Sequence, residues 1–220
     1  MKVVAIDGPA GSGKGTIASI LSKKCNLVNI DTGATYRCVA LACLRNNLTL
    51  EDKEEIIKLS GEIDIKIDLD NKVYLNGEDV TDEIRSKEVT NIVSPVSSIV
   101  EVRKNMVDLQ RKMASNYDVV MEGRDITTVV FPNANYKFYL DASLEKRVER
   151  RIKQNKEKGI DMSYDEVYEN IKARDYNDMH KEVGALKRTD EQIYIDSTNM
   201  PIEEVVNKFI EVIEGDKNES

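Results

Sequence analysis

The most informative stretch of the sequence is Gly8-Pro9-Ala10-Gly11-Ser12-Gly13-Lys14-Gly15-Thr16. It follows an apolar run at residues 3–6 and precedes a segment in which apolar side chains recur with helical spacing. Glycines allow a tight turn whose consecutive backbone N–H groups face a polyphosphate, and the amino end of the next helix adds a partial positive charge. Lys14 can reach the β and γ phosphates. The stretch therefore predicts a phosphate loop that binds a nucleoside triphosphate; the alternative is a strand–helix turn without a ligand.

Gly15 stands between Lys14 and Thr16, whereas the strict phosphate-loop motif places a Ser or Thr directly after the lysine. This Gly-Lys-Gly-Thr form resembles the loop of nucleoside monophosphate kinases rather than that of switch GTPases. A GTP-dependent switch also needs a guanine-reading Asn-Lys-x-Asp sequence, and the nearest match, Asn71-Lys72-Val73-Tyr74, lacks the aspartate. The loop thus favours an enzyme, with a nucleotide-binding module without turnover as the alternative.

Short apolar runs alternate along the chain with segments of helical periodicity. Each run is rich in β-branched or aromatic residues and lacks the alternation of a half-exposed strand, which is typical of strands buried on both faces. Helical faces are indicated by Ile17, Ile20 and Leu21 and by apolar positions within residues 99–113 and 202–209. The pattern predicts an α/β fold in which helices flank a five-stranded parallel sheet. The predicted strands are residues 3–6, 27–30, 119–121, 138–140 and 193–195.

Residues 62–68 break this rhythm, because apolar and charged side chains alternate strictly there. Asp70-Asn71 and Asn76-Gly77 are turn sequences, and the second is a strong hairpin signal. We expect a small antiparallel β unit at residues 61–93, inserted into the parallel-sheet domain.

Composition excludes several classes of protein. The 220 residues carry a formal charge of −8, so a protein that grips nucleic acid through a basic face is not expected. No apolar run approaches the roughly 20 residues that span a bilayer, and no signal peptide is predicted. The three cysteines lack metal-ligand spacing and His180 is the single histidine, which argues against a zinc site. We expect a cytoplasmic protein with reduced thiols and no membrane partner.

Charged residues follow two further predicted strands. Arg37 stands about one turn into a helix that opens after Asp31, where a guanidinium can clamp a phosphate; a helix cap with a surface arginine is the alternative. Glu122-Gly123-Arg124-Asp125 comes directly after the third strand. Ligands of open α/β sheets collect at the carboxyl ends of the strands, so this segment predicts a binding site, with a solvated loop as the alternative.

Five segments, in order over about residues 2–213, together resemble the bacterial cytidylate kinases. The Gly-Arg-Asp segment with its continuation Thr128-Val129-Val130-Phe131-Pro132 and the hairpin insert are far more specific than the phosphate loop, which many kinases share. The resemblance implies a P-loop fold and reversible transfer of the γ-phosphoryl group of ATP to CMP or dCMP with Mg²⁺, giving CDP or dCDP and ADP in pyrimidine nucleotide metabolism. The five segments are residues 8–16, 31–37, 78–85, 122–132 and 174–178.

The same resemblance implies which residues bind the substrate. Cytosine has an amino donor beside acceptors at N3 and O2, so a carboxylate and a hydroxyl can accept from the amino group while an arginine donates. Such a site leaves its own groups unpaired with the wrong base, and we expect CMP and dCMP to be preferred over UMP. The nearest alternative is a P-loop kinase for another small acceptor, such as UMP, AMP or shikimate. The implied residues are Arg37 and Arg124 for the phosphate, Ser94, Arg103 and Asp125 for the base, Arg174 and Asp178 for the ribose or phosphate, and Thr32 and Gly33 as further substrate-binding residues.

Two positions depart from the pattern of that family. Lys181, counted among the substrate-binding residues, stands where arginine is usual, which turns a bidentate phosphate contact into a point charge. Thr127 replaces a usual glycine and is expected to place a side chain near the phosphate site.

A closing lid is the last predicted feature. Arg150 and Arg151 lie on a predicted helix, and a polar stretch separates them from a second helix that carries Arg174. Phosphoryl transfer needs aligned phosphates and neutralised charge, and arginines that move inward with a lid supply both and exclude water. We expect these three arginines to act with Lys14 and Arg124 in catalysis; a solvated basic helix face is the alternative. We expect the protein to be a monomer. Its predicted parts are a core of residues 1–60, 94–150 and 182–220, a monophosphate-binding insert of residues 61–93, and a lid of residues 151–181.

Overall fold

The structure is a computed structural model that describes residues 1–157 and 159–215. Lys158, within the predicted lid, and residues 216–220, at the end of the predicted core, lie outside the described residues.

A five-stranded parallel sheet forms the centre of the molecule, as predicted. Its strands are β1 (Val3–Asp7), β2 (Val28–Asp31), β6 (Val119–Gly123), β7 (Tyr136–Asp141) and β8 (Ile193–Asp196), in the order β2-β6-β1-β7-β8. A second sheet contains β3 (Ile65–Ile67), β4 (Val73–Leu75) and β5 (Glu78–Asp79). In the first sheet Val4 is level with Val120 on one side and with Tyr136 on the other. The phosphate loop at the end of β1 therefore lies directly beside the end of β6.

Helices cover both faces of the parallel sheet. The α-helices of the described residues are α1 (Lys14–Cys25), α2 (Thr32–Arg45), α3 (Lys53–Glu62), α4 (Lys87–Val96), α5 (Val100–Ala114), α6 (Leu144–Glu157), α7 (Tyr164–Met179) and α8 (Ile202–Gly215). On one face Leu21 of α1 and Phe209 of α8 pack against Phe138, whose ring centroid is 4.2 Å from that of Phe209. On the other face Val107 of α5 packs against Met121. Among the described helices, none combines the length and the apolar character that crossing a bilayer would require.

The antiparallel sheet confirms the predicted β unit. Leu75 pairs with Glu78 across the two-residue turn Asn76-Gly77, and both turn residues have positive φ, as a type I′ turn requires. The buried side chains of this sheet share a hydrophobic core with α2 and α4. The predicted boundary at residue 93 falls inside α4, so the unit is continuous with the helix that follows it.

Candidate active site

A large cleft of about 950 Å³ lies at the carboxyl ends of the parallel strands. It is lined by every predicted site residue except Gly8 and Pro9, which lie beneath it at the start of the phosphate loop. The fold thus brings the phosphate loop, the segment after β2, the segment after β6 and the two lid helices to one place. The predicted residues that line the cleft are Ala10, Gly11, Ser12, Gly13, Lys14, Gly15, Thr16, Thr32, Gly33, Arg37, Ser94, Arg103, Arg124, Asp125, Arg150, Arg151, Arg174, Asp178 and Lys181.

The phosphate loop has the geometry that its glycines predict. A Cβ on Gly8 would lie 2.1 Å from the carbonyl oxygen of Leu140, so the chain passes β7 too closely for a side chain. The buried ammonium group of Lys14 donates to the carbonyl oxygen of Pro9 at 2.9 Å. Burial, reinforced by the positive charge of Arg124, lowers the pKa of Lys14 to about 7. A bound polyphosphate would place negative charge beside this ammonium group and so favour its charged form.

Both lid helices brace the loop through an ion pair. Arg147 of α6 donates to the carbonyl oxygen of Ala10 at 3.0 Å and forms a buried ion pair of 2.5 Å with Asp175 of α7. Asp175 in turn accepts from the backbone N–H of Ala10 at 3.3 Å. This pair is not among the predicted site residues. The spacing of 28 residues gave no sign of it, because only the packing of α6 on α7 brings the two side chains together.

The predicted lid arginines differ in their surroundings. Arg150 already contacts the phosphate loop: it donates to the carbonyl oxygen of Ser12 at 3.0 Å and to that of Ser197 at 2.7 Å. Arg151 and Arg174 line the cleft, and among the described residues neither has an ion pair within 4 Å. Ser197 is not a predicted site residue, yet its carbonyl oxygen, just after β8, accepts from Arg150 and so holds this arginine in place.

The helix after β2 presents Arg37 to the cleft and caps itself with Asp31. Asp31 accepts from the backbone N–H of Ala34 at 3.1 Å, as expected for a helix cap. Arg37 is half-buried rather than on the surface, and it donates to the carbonyl oxygen of Ile84 at 3.1 Å and to the hydroxyl of Thr90 at 3.0 Å. These bonds fix the guanidinium of Arg37 in the wall of the cleft.

Asp178 holds two of the predicted basic side chains. It accepts from Arg124 at 2.8 Å and pairs with Lys181 at 3.0 Å. Burial alone would raise the pKa of Asp178, but the charges of Arg124 and Lys181, with a contribution from Arg174, hold it well below its usual range. Lys181 also donates to the hydroxyl of Ser97 at 3.2 Å. The lysine that replaces the expected arginine therefore links α7 to the end of α4.

The predicted base-reading residues form a buried ion pair. The guanidinium of Arg103 bonds to the carboxylate of Asp125 and donates to the carbonyl oxygen of Ser97 at 3.0 Å. Only 3 % of Arg103 and 4 % of Asp125 is exposed. The ring of Tyr36, absent from the predicted site, lies 5.1 Å from the guanidinium carbon. Ser94 lines the same part of the cleft.

Thr127 corrects one expectation. Its side chain does not line the cleft: the hydroxyl donates to the buried carboxylate of Asp7 at 2.6 Å and accepts from Gln192 at 2.5 Å. Asp7 also accepts from the backbone N–H of Ile126 at 2.8 Å, at the start of a π-helical turn. The hydroxyl turns to Asp7 because burial disfavours this carboxylate and raises its pKa, whereas a hydrogen bond from Thr127 stabilises its charged form.

The cleft carries an excess of positive charge. Burial lowers the pKa of Arg37, Arg151 and Arg174, in the last case to about 10, and neighbouring arginines contribute to the shift of each. Arg85, the last residue of the segment 78–85, is not a predicted site residue, but its positive charge contributes to lowering the pKa of Arg37 and Arg151. Mutual repulsion among cations in a cleft is relieved by a bound anion, and phosphate groups suit guanidinium donors.

The oxygen donors near the phosphate loop are few. Within the described residues, no group of three or more His, Cys, Asp or Glu side chains is placed to hold a metal ion. The exposed hydroxyl of Thr16 and the carboxylate of Glu122 both line the cleft, and an oxygen of Glu122 is 3.3 Å from the place a Cβ on Gly15 would occupy. So sparse an oxygen set fits a magnesium ion that arrives with a triphosphate and keeps phosphate and water among its ligands.

Comparison with known proteins gives one consistent result. The family model described as "Cytidylate kinase" matches residues 4–215. The cytidylate kinase of Fusobacterium nucleatum is 48 % identical over 212 residues, which cover 96 % of this chain and 97 % of that protein. The cytidylate kinase of Carboxydothermus hydrogenoformans is 46 % identical over 219 residues, or 98 % of each chain.

Solved structures support the fold. The crystal structure of an uncharacterised protein from Eubacterium ventriosum covers 97 % of this chain and 99 % of its own, with a TM-score of 0.54 and 12 % identity. That of shikimate kinase from Bacteroides thetaiotaomicron covers 97 % and 98 %, with a TM-score of 0.51 and 16 % identity. At these identities the likeness concerns the P-loop kinase fold and not the substrate.

Proposed function

The chain belongs to the cytidylate kinase family, and on that basis we propose that it transfers the γ-phosphoryl group of ATP to CMP or dCMP, giving CDP or dCDP and ADP. One observation carries the proposal: a phosphate loop and a second set of arginines face a single cleft, and a buried Arg–Asp pair lies beyond the second set. This arrangement suits two phosphorylated ligands whose phosphates must meet.

The phosphate loop is assigned to ATP. The backbone N–H groups of residues 11–16 and the amino end of α1 would bind the β and γ phosphates, with Lys14 supplying a positive charge. Thr16 and Glu122 would hold, on the protein side, a magnesium ion that arrives with ATP, and this ion would neutralise phosphate charge. The ion pair of Arg147 with Asp175 keeps the loop in place through Ala10.

The opposite side of the cleft is assigned to the acceptor. Arg37 and Arg124 would bind the CMP phosphate, with Thr32 and Gly33 beside them, and Asp178 with Arg174 would contact the ribose or phosphate. Asp178 orients Arg124 by accepting from its Nε atom at 2.8 Å. One terminal nitrogen of the guanidinium donates to the carbonyl oxygen of Gly123 at 3.3 Å, and the other is assigned to the ligand. Lys181 contributes a point charge at the same site.

Base recognition is assigned to Arg103, Asp125 and Ser94. Asp125 and Ser94 would accept from the cytosine amino group while Arg103 donates to N3 or O2. Uracil would leave the Asp125 carboxylate facing an acceptor, which explains the expected preference for CMP.

The chemical step needs alignment and charge rather than a protein base. An ionised oxygen of the CMP phosphate forms a bond to the γ phosphorus as the bond from that phosphorus to the bridging oxygen of ADP breaks. Lys14, Arg124, Arg150, Arg151 and Arg174 would neutralise the charge that spreads over the transferred group. The side chain of Arg150 already donates to the phosphate loop, so we assign movement with the closing lid to Arg151 and Arg174.

We assign the monophosphate-binding role to residues 61–93 and the lid role to residues 151–181, on a core of residues 1–60, 94–150 and 182–220. We further propose a cytoplasmic monomer. The buried thiols of Cys38 and Cys43, whose pKa values burial raises, are typical of structural cysteines in a reducing compartment.

The test is ADP release from ATP and Mg²⁺ with CMP, dCMP, UMP, AMP, shikimate or no acceptor. We expect stimulation by CMP and dCMP, and loss of turnover in Lys14→Met but not in Lys23→Met, an exposed lysine on the same helix. Stimulation by another acceptor instead would overturn the base assignment. Nucleotide binding with no stimulation by any acceptor would identify a switch.

A further inference from the structure

The loop after α7, residues 181–186, passes directly over the Arg103–Asp125 pair. Gly184 is the point of contact, and its φ of +69° lies in the left-handed region. A Cβ at Gly184 would lie 2.2 Å from a carboxylate oxygen of Asp125 and 2.3 Å from a terminal nitrogen of Arg103. Real Cβ atoms do not approach other atoms so closely, so the backbone occupies the space that a side chain would need.

The backbone of Gly184 covers the ion pair closely. The Nε atom of Arg103 is 2.6 Å from the same Cβ position. It is also buried without a hydrogen-bond partner among the described residues. Two other nitrogens of this guanidinium are bonded, to Asp125 and Ser97. Asp125 and Ser97 therefore hold two nitrogens of the guanidinium, and the bare backbone of Gly184 lies against Nε and against the nitrogen that bonds to Asp125.

The loop itself is fixed at both ends. The backbone N–H of Leu186 donates to the carbonyl oxygen of Asp178 at 2.8 Å, and Leu186 is buried. At the other end Lys181 reaches Asp178 and the hydroxyl of Ser97. The position of Gly184 over the ion pair thus depends on anchors in α7 and at the end of α4.

We propose that Gly184 is a specificity-determining position: its bare backbone sets the geometry of the Arg103–Asp125 pair and so the discrimination between cytosine and uracil. The proposal rests on the proposed function, because it assigns base reading to that pair. Gly184 acts through the pair and is a positioning residue, and Ser97 supports it through Lys181.

Gly184→Ala is the direct test. Relieving contacts of 2.2 to 2.6 Å requires the pair to move by about 1 Å, and a displacement of that size costs on the order of 100-fold in rate. We expect kcat/KM for CMP to fall about 100-fold and that for UMP much less, so that the CMP-to-UMP ratio falls at least about tenfold. The KM for ATP should stay within about twofold, because the phosphate loop is not touched.

Gly159→Ala is the matched control. Gly159 has a φ of +70°, and within residues 1–157 and 159–215 no atom outside its chain neighbours lies within 4 Å of its Cβ position. The Gly159→Ala variant has the same backbone strain as Gly184→Ala without the collision, so its CMP-to-UMP ratio should equal that of the wild type. An equal loss of selectivity in both variants, or an unchanged ratio in Gly184→Ala, would overturn the proposal.

Two further variants keep the outcomes distinct. Ser97→Ala removes one anchor of the loop and adds no atoms, and it should lower the ratio about fivefold. If Gly184→Ala does not fold, an unchanged ratio in Ser97→Ala overturns the proposal. Asp125→Ala tests the pocket itself: if it keeps the wild-type ratio, the base assignment is wrong and the role of Gly184 fails with it. If the CMP-to-UMP ratio falls in Asp125→Ala but is unchanged in Gly184→Ala, the role proposed for Gly184 is rejected and the base assignment stands.

Discussion

Replacing Arg174 with methionine should stabilise the ligand-free protein while it removes most of the activity. Arg174 lines the cleft, half-buried, and among the described residues it has no ion pair within 4 Å. Burial, followed by the charge of Arg124, lowers its pKa to about 10, and the nearby carboxylate of Asp178 offsets only part of this effect. The folded chain therefore holds this cation in a place that disfavours it.

The size of the effect follows from the pKa of Arg174. A fall from 12.5 to about 10 corresponds, at about 1.36 kcal/mol per pH unit, to about 3 kcal/mol against the charged form in the fold. Below pH 10 the side chain is charged in both folded and unfolded chains, so the whole cost is present at pH 7. Water reaches part of the guanidinium and screens it, which leaves an expected gain of about 1–2 kcal/mol for Arg174→Met.

The assay is urea unfolding at pH 7 without nucleotides or phosphate. Arg111→Met is the control of opposite sign, because Arg111 donates to the carbonyl oxygens of Val130 at 2.9 Å and Val129 at 2.8 Å. It should lower the free energy of unfolding by about 1–2 kcal/mol. Arg174→Met should unfold at higher urea than the wild type and lose at least about 100-fold in kcat. Unfolding of Arg174→Met at lower urea than the wild type would show that Arg174 stabilises the free protein and would refute the reasoning.

Three other predictions follow from the charged groups of the cleft. Because the pKa of Lys14 is about 7 without ligand and polyphosphate restores the charged form, ATP binding should take up roughly one proton at pH 8 and almost none at pH 6. Calorimetry in buffers of different ionisation enthalpy measures this, and uptake that persists in Lys14→Met would assign it to another group. Asp178→Asn should destabilise the protein at pH 7, and because the folded pKa of Asp178 is depressed, the difference from the wild type should shrink as the pH falls below about 4. Acid titration of the unfolding free energy tests it, and a difference independent of pH would contradict it. Arg147→Met should cost about 3–5 kcal/mol of stability by leaving Asp175 unpaired and should raise the KM for ATP more than that for CMP; an unchanged KM for ATP would exclude a brace on the loop.

The central sheet was predictable because its inner strands β1, β6 and β7 are buried on both faces and so read as apolar runs. The edge strands β2 and β8 are more exposed, but each still contains a short apolar segment. The predicted strands were nevertheless short at their carboxyl ends. Strands β1 and β2 continue to Asp7 and Asp31, and β7 and β8 continue to Asp141 and Asp196. Polar residues end an apolar pattern but not the backbone pairing, and the carboxyl ends are where a parallel sheet places its functional residues.

The site could be predicted as a set of residues but not as a set of pairs. Motifs and resemblance pointed to side chains that the fold does gather in one cleft. They gave no sign of Arg147–Asp175 or of Gly184, because these contacts join helices and loops that are distant in the chain. The orientation of Thr127 was also wrong, since the partner that decides it, Asp7, is 120 residues away. A sequence pattern fixes which residue types are near a strand end, whereas tertiary packing decides which groups satisfy each other.

The pairing divides the basic residues of the cleft into two classes with different tasks. Arg103 and Arg124 each bond to a buried carboxylate, so their positions are set and much of their charge is already balanced. Arg151 and Arg174 have no such partner among the described residues, and their charge costs stability until an anion arrives. Fixed arginines suit recognition, where geometry discriminates between ligands, and unbalanced arginines suit neutralisation of a transferring phosphoryl group. Substitution of Arg103 should therefore change substrate preference and KM, and substitution of Arg124, which is also assigned to charge neutralisation, should change both KM and kcat. Substitutions in the second class should lower kcat while the free protein becomes more stable.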